Sequence, residues 1–177
     1  MSAEALPAVD TAAAELFWSE YAAASPEAVR LCPDYTVERF GDSAALADEL
    51  LRAVTEGAKR ATSELARDFL QAGGNLPRIG SHWIACDAAG IPRLVLRTVE
   101  LRLGPFSSAD EAFARDEGED DRSLAGWQAG HRRYWTRTRA RRGLEWTEAD
   151  EIVFERFRVV WPADLADAGE PIPRVPK

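Results

Sequence analysis

The sequence predicts an α+β fold in which a small antiparallel β-barrel is surrounded by several α-helices. The first seventy residues follow a helical period, whereas the later segments 83–84, 91–103 and 151–161 are strand-like. Helical segments at 107–116 and 121–142 interrupt these strands. Because no repeat or interdomain linker separates the elements, we expect one domain.

The N-terminal half predicts four helices. Residues 11–24 form an amphipathic helix, and Pro26 begins a short second helix that ends near Leu31. Asp42 or Ser43 can cap the third helix, which ends at Gly57. Its apolar face consists of Leu46, Leu50, Leu51 and Val54. A fourth helix is predicted over 62–70, before Gly73-Gly74.

The C-terminal half predicts the strands and two more helices. Residues 87–90 form a turn between the first two strands, and Gly143 ends the helix that Asp121 begins. Along the second strand, one side is predicted to hold Val95, Val99, Leu101 and Leu103. Along the last strand, the residues in phase are Val153, Phe157, Val159 and Trp161.

Composition and charge exclude several classes of protein. The chain has 177 residues, of which 46% are hydrophobic and 29% charged, and no 18-residue apolar run predicts a membrane span. Residues 1–10 lack the pattern of a secretory signal. Cys32 and Cys86, with only two histidines, match no zinc-ligand spacing, so we expect a reducing cytoplasm and no resident metal. Nothing indicates an obligate protein partner.

The net charge of −8 argues against a protein that coats nucleic acid, because non-specific binding requires excess Lys and Arg. A confined basic cleft stays compatible with this charge.

The first candidate site is the segment 57–62. Lys59 and the terminal Lys177 are the only two lysines in an arginine-rich chain. Lysine can lose its proton on burial or act as a point charge toward phosphate, and Thr62 lies three residues farther on. The alternative is that Lys59 is a surface residue near a helix C-terminus and that Thr62 caps the next helix.

The second candidate site is the acidic segment 116–121, which has five carboxylates in six positions. Their repulsion can raise a pKa, supply a general acid or base, or attract Mg²⁺, which makes Mg²⁺ a candidate cofactor. The alternative is a solvated loop that caps the following helix, and no known oxygen-ligand spacing supports a metal.

The third candidate site is the helix that follows. Leu124, Trp127, His131 and Tyr134 share one face, and six arginines lie nearby, at 132, 133, 137, 139, 141 and 142. Arginines with interleaved aromatics suit single-stranded nucleic acid. Equally, the aromatics can be core residues and the arginines an exposed face.

Two charged residues lie in phase with apolar strand residues. Arg97 lies two positions after Val95, and Glu155 lies two positions after Val153, so in a strand each pair shares one side. A charge on an inward face needs a partner, so the two either pair or line a polar pocket. We expect at least one to face a ligand cleft.

Taken in order, these segments resemble the bacterial stand-alone ASCH domain proteins, a family related to PUA domains. The resemblance is carried by segments 40–43, 46–51, 57–62, 117–119, 121–124 and 154–157, together with Trp127 and His131. It implies a PUA-like barrel at 35–161, a helical N-terminal extension at 1–34 packed on it, and a Pro-rich tail at 162–177. It also implies a cleft between barrel and helices.

The resemblance further implies an interaction with RNA or a nucleoside. Longer members are similar to proteins that bind single-stranded RNA and cleave it with Mg²⁺, and shorter ones are amidohydrolases that deacetylate N4-acetylcytidine. In the second case Thr62 would be the nucleophile, Lys59 its base and Glu117 the proton shuttle. A non-catalytic module for a nucleotide or modified base is the third alternative.

The candidate ligand-binding residues are Arg60, Arg97, Arg122, Ser123, Trp127, His131, Arg132 and Tyr134. Two positions depart from the family pattern. Ser63-Glu64 stands where the short amidohydrolases carry an arginine, and Asp120 replaces a small residue. The first departure removes a cation that could bind substrate.

Overall fold

A curled sheet of five strands, an open half-barrel, forms the centre of the protein in a computed structural model that describes residues 6–71 and 73–168. The strand order is β1-β3-β4-β5-β2. The pairs β3–β4, β4–β5 and β5–β2 are antiparallel, and β1 pairs with β3 in parallel. The strands are β1 Tyr35–Glu38, β2 Ala61–Leu65, β3 His82–Cys86, β4 Pro92–Gly104 and β5 Ile152–Trp161.

Helices cover the sheet and begin where short polar side chains cap them. Asp10, Ser43, Asp110 and Ser123 each accept a hydrogen bond from a first-turn N–H. The helices are α1 Thr11–Ala24, α2 Pro26–Leu31, α3 Ala44–Thr55, α4 Ala66–Gln71, α5 Glu111–Glu117 and α6 Leu124–Arg141. A 3₁₀ turn, Phe106–Ser108, precedes α5.

The predicted α+β class with a PUA-like sheet is confirmed. The sheet is mixed rather than purely antiparallel, because β1 lies parallel to β3. No strand is predicted at β1, because its four residues are too few to display an alternation.

The predicted helix over 62–70 is wrong in its first half. Ala61–Leu65 is strand β2, and only Ala66–Gln71 is helical. Pairing with β5 decides this conformation, since Thr62 lies opposite Glu155 and Leu65 opposite Ile152. Tertiary pairing overrides local propensity here.

Two smaller predictions also need correction. Ser123, not Asp121, caps α6, while Asp121 accepts hydrogen bonds from the Ser123 amide and hydroxyl. In β4 the pairing shifts between Thr98 and Glu100, which turns Val99 and Leu103 outward to 42% and 51% exposure. The bulge reverses the alternation after Thr98, so the predicted side of Val95, Val99, Leu101 and Leu103 is not one continuous apolar face.

Three apolar clusters hold the layers together. One joins β2, β5, α5 and α6 around Trp135 and Phe154, and a second packs α3 on the sheet through Leu50 and Phe157. The third packs α1 on β3 and β4 through Tyr21. Within the described residues, no helix is long and apolar enough to cross a membrane.

The start of the predicted tail is tied to the domain. Asp167 accepts hydrogen bonds from the Val159 amide and from Arg60, so residues 162–168 return to the sheet. The remaining tail, 169–177, lies outside the described residues.

Candidate functional site

A cleft of about 1190 Å³ separates the sheet from α6 and the loop after α5. Its walls carry aromatic side chains, among them Phe40, Trp83 and Tyr134. Polar groups from β2, β4, β5 and α6 also line it, among them Thr62, Ser63, Glu64, Thr98, Glu155 and His131. A concave site with aromatic walls and a few polar groups is typical of small-molecule binding.

Lys59 is completely buried beside this cleft and is surrounded by acceptors. Its Nζ donates to Glu119 Oε1 at 2.6 Å and to the Glu117 carbonyl oxygen at 3.2 Å, and it lies 3.7 Å from Glu117 Oε1. It also lies 5.5 Å from the centre of the Phe40 ring. The interpretation of Lys59 as a surface residue is therefore wrong.

Gly118 allows the two glutamates to surround Lys59. Its φ is +72°, and a Cβ there would lie 2.3 Å from the Ala58 carbonyl oxygen. Only glycine permits both this left-handed turn and the close approach of the two backbones. The Glu-Gly-Glu sequence thus places Glu117 and Glu119 on either side of one ammonium group.

Glu117 joins the lysine to a second polar group. Its carboxylate accepts from Ser63 Oγ at 3.1 Å and from Trp127 Nε1, and it lies 3.3 Å from His131 Nε2. His131 Nε2 is 3.0 Å from Ser63 Oγ, and Nδ1 is 3.0 Å from the Trp127 carbonyl oxygen. The imidazole stacks on the Trp127 indole with centroids 4.3 Å apart.

These contacts couple the protons of Ser63, His131 and Glu117. Burial by itself would raise the pKa of Glu117, but His131 and Lys59 hold that pKa well below its usual range. Burial opposes a charge on His131, yet Glu117 raises its pKa. When the ring is protonated, Ser63 can donate only to Glu117. When the ring is neutral, its Nε2 can accept the Ser63 proton.

Thr62 lies on the other face of β2. It pairs directly with Glu155 across β5, and residues opposite each other in an antiparallel pair have side chains on the same face. No hydrogen bond between described residues joins its hydroxyl to Lys59 or Glu117. Of the predicted catalytic set, the structure brings Lys59 and Glu117 together, and the hydroxyl that contacts Glu117 belongs to Ser63.

Two further carboxyl groups belong to the cleft. Burial raises the pKa of both Glu64 and Glu155 to about 7. Glu64 accepts from Trp135 Nε1 at 2.9 Å, and Glu155 accepts from Thr98 Oγ1 at 2.6 Å. Glu155 does not pair with Arg97 and faces the cleft, as one of the two alternatives for these residues predicts.

The predicted ligand-binding residues are divided. His131 and Tyr134 line the cleft, and Trp127 is a buried support for Glu117. The other five do not line it: Arg60, Arg97, Arg122, Ser123 and Arg132.

Most of these five are committed to other contacts. Arg60 binds Asp167, Arg122 donates to the Arg115 carbonyl oxygen, and Arg132 donates to Glu148. Ser123 serves as the cap of α6.

The arginines of α6 mostly face carboxylates. Asp42 bridges Arg137 and Arg141, each at 2.8 Å. Asp68 bridges Arg139 and Arg142. The predicted basic surface is consequently a set of ion pairs that joins α6 to α4 and to the start of α3.

The acidic segment 116–121 is likewise distributed among partners. Asp116 pairs with Arg156, Asp120 lies 3.9 Å from Arg133, and Glu117 and Glu119 contact Lys59. Among the residues described, no group of three or more His, Cys, Asp or Glu side chains could hold a metal ion.

Neither Ser63 nor Glu64 was predicted as a site residue, and Glu119 was predicted only as one carboxylate of the acidic segment 116–121, without a partner. The helix predicted over 62–70 concealed the alternation that separates Thr62 and Glu64 from Ser63. For Glu119, the Glu-Gly-Glu motif was the available signal, because a glycine between two glutamates indicates a turn that can direct both toward one cation.

Comparisons with known proteins agree on one family. A family model described as ASCH domain matches residues 36–161. The chain is similar to the crystal structure of an ASCH domain from Lactobacillus crispatus JV V101, with 28% identity and a TM-score of 0.76. That match covers 84% of this chain and 94% of the other.

A second solved structure, protein EF3133 from Enterococcus faecalis V583, has 24% identity and a TM-score of 0.73. The match covers 84% of this chain and 88% of that one, and supports the fold. No curated protein sequence matches the chain.

Proposed function

This chain belongs to the ASCH domain family, and we propose that it binds one nucleoside, either free or as an unpaired nucleotide of RNA, in the cleft. The observation that carries the proposal is the cleft itself, which combines aromatic walls with buried hydrogen-bonding groups. Phe40, Trp83 and Tyr134 offer faces and edges to a planar base, and Glu64 and Glu155 offer acceptors.

The charge distribution favours a single nucleotide over a long strand. A strand held along α6 would need arginines free to neutralise several phosphates, whereas Asp42 and Asp68 engage four of them. Binding should therefore depend only weakly on salt, with few counterions released.

Calorimetry tests this with cytidine, adenosine, uridine and inosine, and with a single-stranded RNA, at two salt concentrations. We expect nucleosides to bind and to compete with RNA for one site. A steep loss of RNA binding with salt, with no nucleoside binding, would contradict the proposal. Tyr134→Ala should weaken binding, and Arg122→Ala, outside the cleft, is the matched control.

A second candidate function is hydrolysis of an amide on the bound base, such as the acetyl group of N4-acetylcytidine. The specific observation is that Ser63 Oγ lies within 3.0–3.1 Å of both His131 Nε2 and Glu117. In this proposal Ser63 takes the role that the family resemblance gives to Thr62. Lys59, whose Nζ faces Glu117 and Glu119, positions the carboxylates.

The reaction would proceed in two steps. Ser63 Oγ bonds to the acyl carbon while its proton moves to neutral His131 Nε2, which then protonates the departing nitrogen as the C–N bond breaks. Water next adds to the ester carbon, giving its proton to His131, and the carboxylic acid leaves as Ser63 regains its proton.

Paired variants decide between the two hydroxyls. With N4-acetylcytidine as substrate, Ser63→Ala should abolish turnover and Thr62→Val should retain it if Ser63 is the nucleophile. The reverse result supports Thr62. If both variants and Lys59→Ala turn over the substrate as fast as the wild-type protein, hydrolysis at this site is contradicted and the binding proposal is unaffected.

Mg²⁺-dependent cleavage of single-stranded RNA is the least supported activity, because the acidic segment is engaged with Arg156, Lys59 and Arg133. Incubating the protein and labelled RNA with Mg²⁺ or chelator tests this activity directly.

We also propose a cytoplasmic location for the protein, since Cys32 and Cys86 are free thiols.

A further inference from the structure

Glu155 is a buried carboxyl group with few hydrogen-bond donors and no cation paired with it among the described residues. It is 5% exposed, and its one hydrogen bond of standard geometry among the described residues comes from the neutral Thr98 hydroxyl at 2.6 Å. The neutral indole N–H of Trp83 also lies near the carboxyl group and lowers its pKa. No ion pair between described residues involves it. Removing a carboxyl from water without a cation is costly, and a glutamine could accept the same Thr98 bond without that cost.

The carboxyl group of Glu155 faces the cleft, where a ligand could donate a hydrogen bond to it. Glu155 lines the cleft near the middle of β5, directly opposite Thr62 on β2. Trp83 and Phe40 form the aromatic wall, with ring centroids 5.0 Å apart. Thr98 occupies one carboxyl oxygen, which leaves Oε2 for a ligand.

The cation that Glu155 lacks is present at the other carboxylate site. Glu117 faces Lys59 and His131, so its charge is compensated within the protein. The two carboxyl groups on the two sides of β2 thus differ. Glu117 has cations within the protein, whereas Glu155 has only neutral donors near it, Thr98 and the Trp83 indole, and can accept further hydrogen bonds from a ligand.

We propose that Glu155 is the specificity residue of the cleft and accepts a hydrogen bond from an exocyclic amino group of the bound base. This inference rests on the proposed function and extends it to a ligand class: bases with an amino group at the edge that faces β5. An oxo group at the same position would place an acceptor against an acceptor, which the site rejects.

Two nucleoside pairs isolate the amino group, because cytidine and uridine, or adenosine and inosine, each present amino against oxo at one ring position. Calorimetry at pH 8 should give wild-type protein a preference of about tenfold or more for the amino member of at least one pair. Glu155→Gln should reduce the preference to within roughly threefold, because a carboxamide can rotate to donate to the oxo group.

Glu151→Gln is the matched control, since Glu151 is exposed just before β5, and it should keep the wild-type preference. Circular dichroism establishes that both variants are folded. The wild-type comparison tests the inference even if Glu155→Gln does not fold.

Each outcome has one meaning. An amino preference that Glu155→Gln removes supports the inference. Wild-type protein that binds nucleosides without an amino preference, or a preference that Glu155→Gln leaves unchanged, overturns the inference but keeps the proposed function. Protein that binds none of the four nucleosides overturns both.

Discussion

The cluster around Lys59 and the arginine-rich helix α6 differ in where their charges lie, buried in the first and mostly exposed in the second. At the cluster, one buried lysine meets Glu117 and Glu119, and no water-exposed surface of Lys59 remains. On α6, exposed arginines such as Arg137 and Arg141 share Asp42 at the protein surface. The sequence marks both regions as candidate binding sites. In the structure both border the cleft, the cluster through Glu117 and Glu119 and α6 through His131, Tyr134 and Arg137.

The difference teaches that the number of charges is a poor guide to function. Surface ion pairs are screened by water and contribute little, whereas a buried charge that loses its partner is strongly destabilising. Buried charges, which on α6 include Arg139 beside Asp68, should therefore control stability and ligand chemistry, and the exposed α6 arginines should act as surface links between helices.

The largest expected effect comes from breaking the buried cluster. Lys59→Met leaves Glu117 without its closest permanent cation, and we expect a loss of roughly 3–5 kcal/mol in the free energy of unfolding. Urea denaturation measures it. The double variant Lys59→Met/Glu117→Gln should recover part of the loss, and a double variant no more stable than the single one would argue against a pairwise cause.

Glu155→Gln should stabilise the protein in alkaline solution. The folded-state pKa of Glu155 is about 7, above the ordinary 4.5, so wild-type protein loses stability as pH rises from 4.5 to 7. Glutamine removes this loss, with a gain on the order of 3 kcal/mol above pH 7 and none below about pH 4.5. Thermal melts across pH measure the difference, and a pH-independent difference would contradict it.

Asp42→Asn tests the surface network at its most connected point. It loses the charge that bridges Arg137 and Arg141, and we expect a destabilisation of about 1 kcal/mol that shrinks in high salt. Denaturation at low and high salt distinguishes this from a buried defect, whose effect would persist.

Arg133→Ala should have the smallest effect on stability. Its side chain is 67% exposed and its guanidinium lies 3.9 Å from Asp120, so the change in unfolding free energy should stay within about 0.5 kcal/mol. A loss comparable with that of Lys59→Met would erase the distinction between the two regions.

Several features of this protein follow from the sequence alone. The amphipathic stripes and caps identify α1, α3 and α6, since helix formation depends on residues three or four positions apart. The ordered motifs around Lys59, Glu117 and His131 identify the ASCH family. The resemblance that they carry also implies that Lys59 and Glu117 belong to one site, although 58 positions separate them.

Tertiary structure alone decided the rest. Ala61–Leu65 has a sequence compatible with a helix and becomes a strand because β5 offers it an edge, and that pairing assigns Ser63 to Glu117 and Thr62 to Glu155. Likewise, four arginines of α6 are paired with carboxylates rather than left as a basic surface, because the fold brings Asp42 and Asp68 beside them. Local sequence determines which groups are available, and long-range packing determines which of them meet.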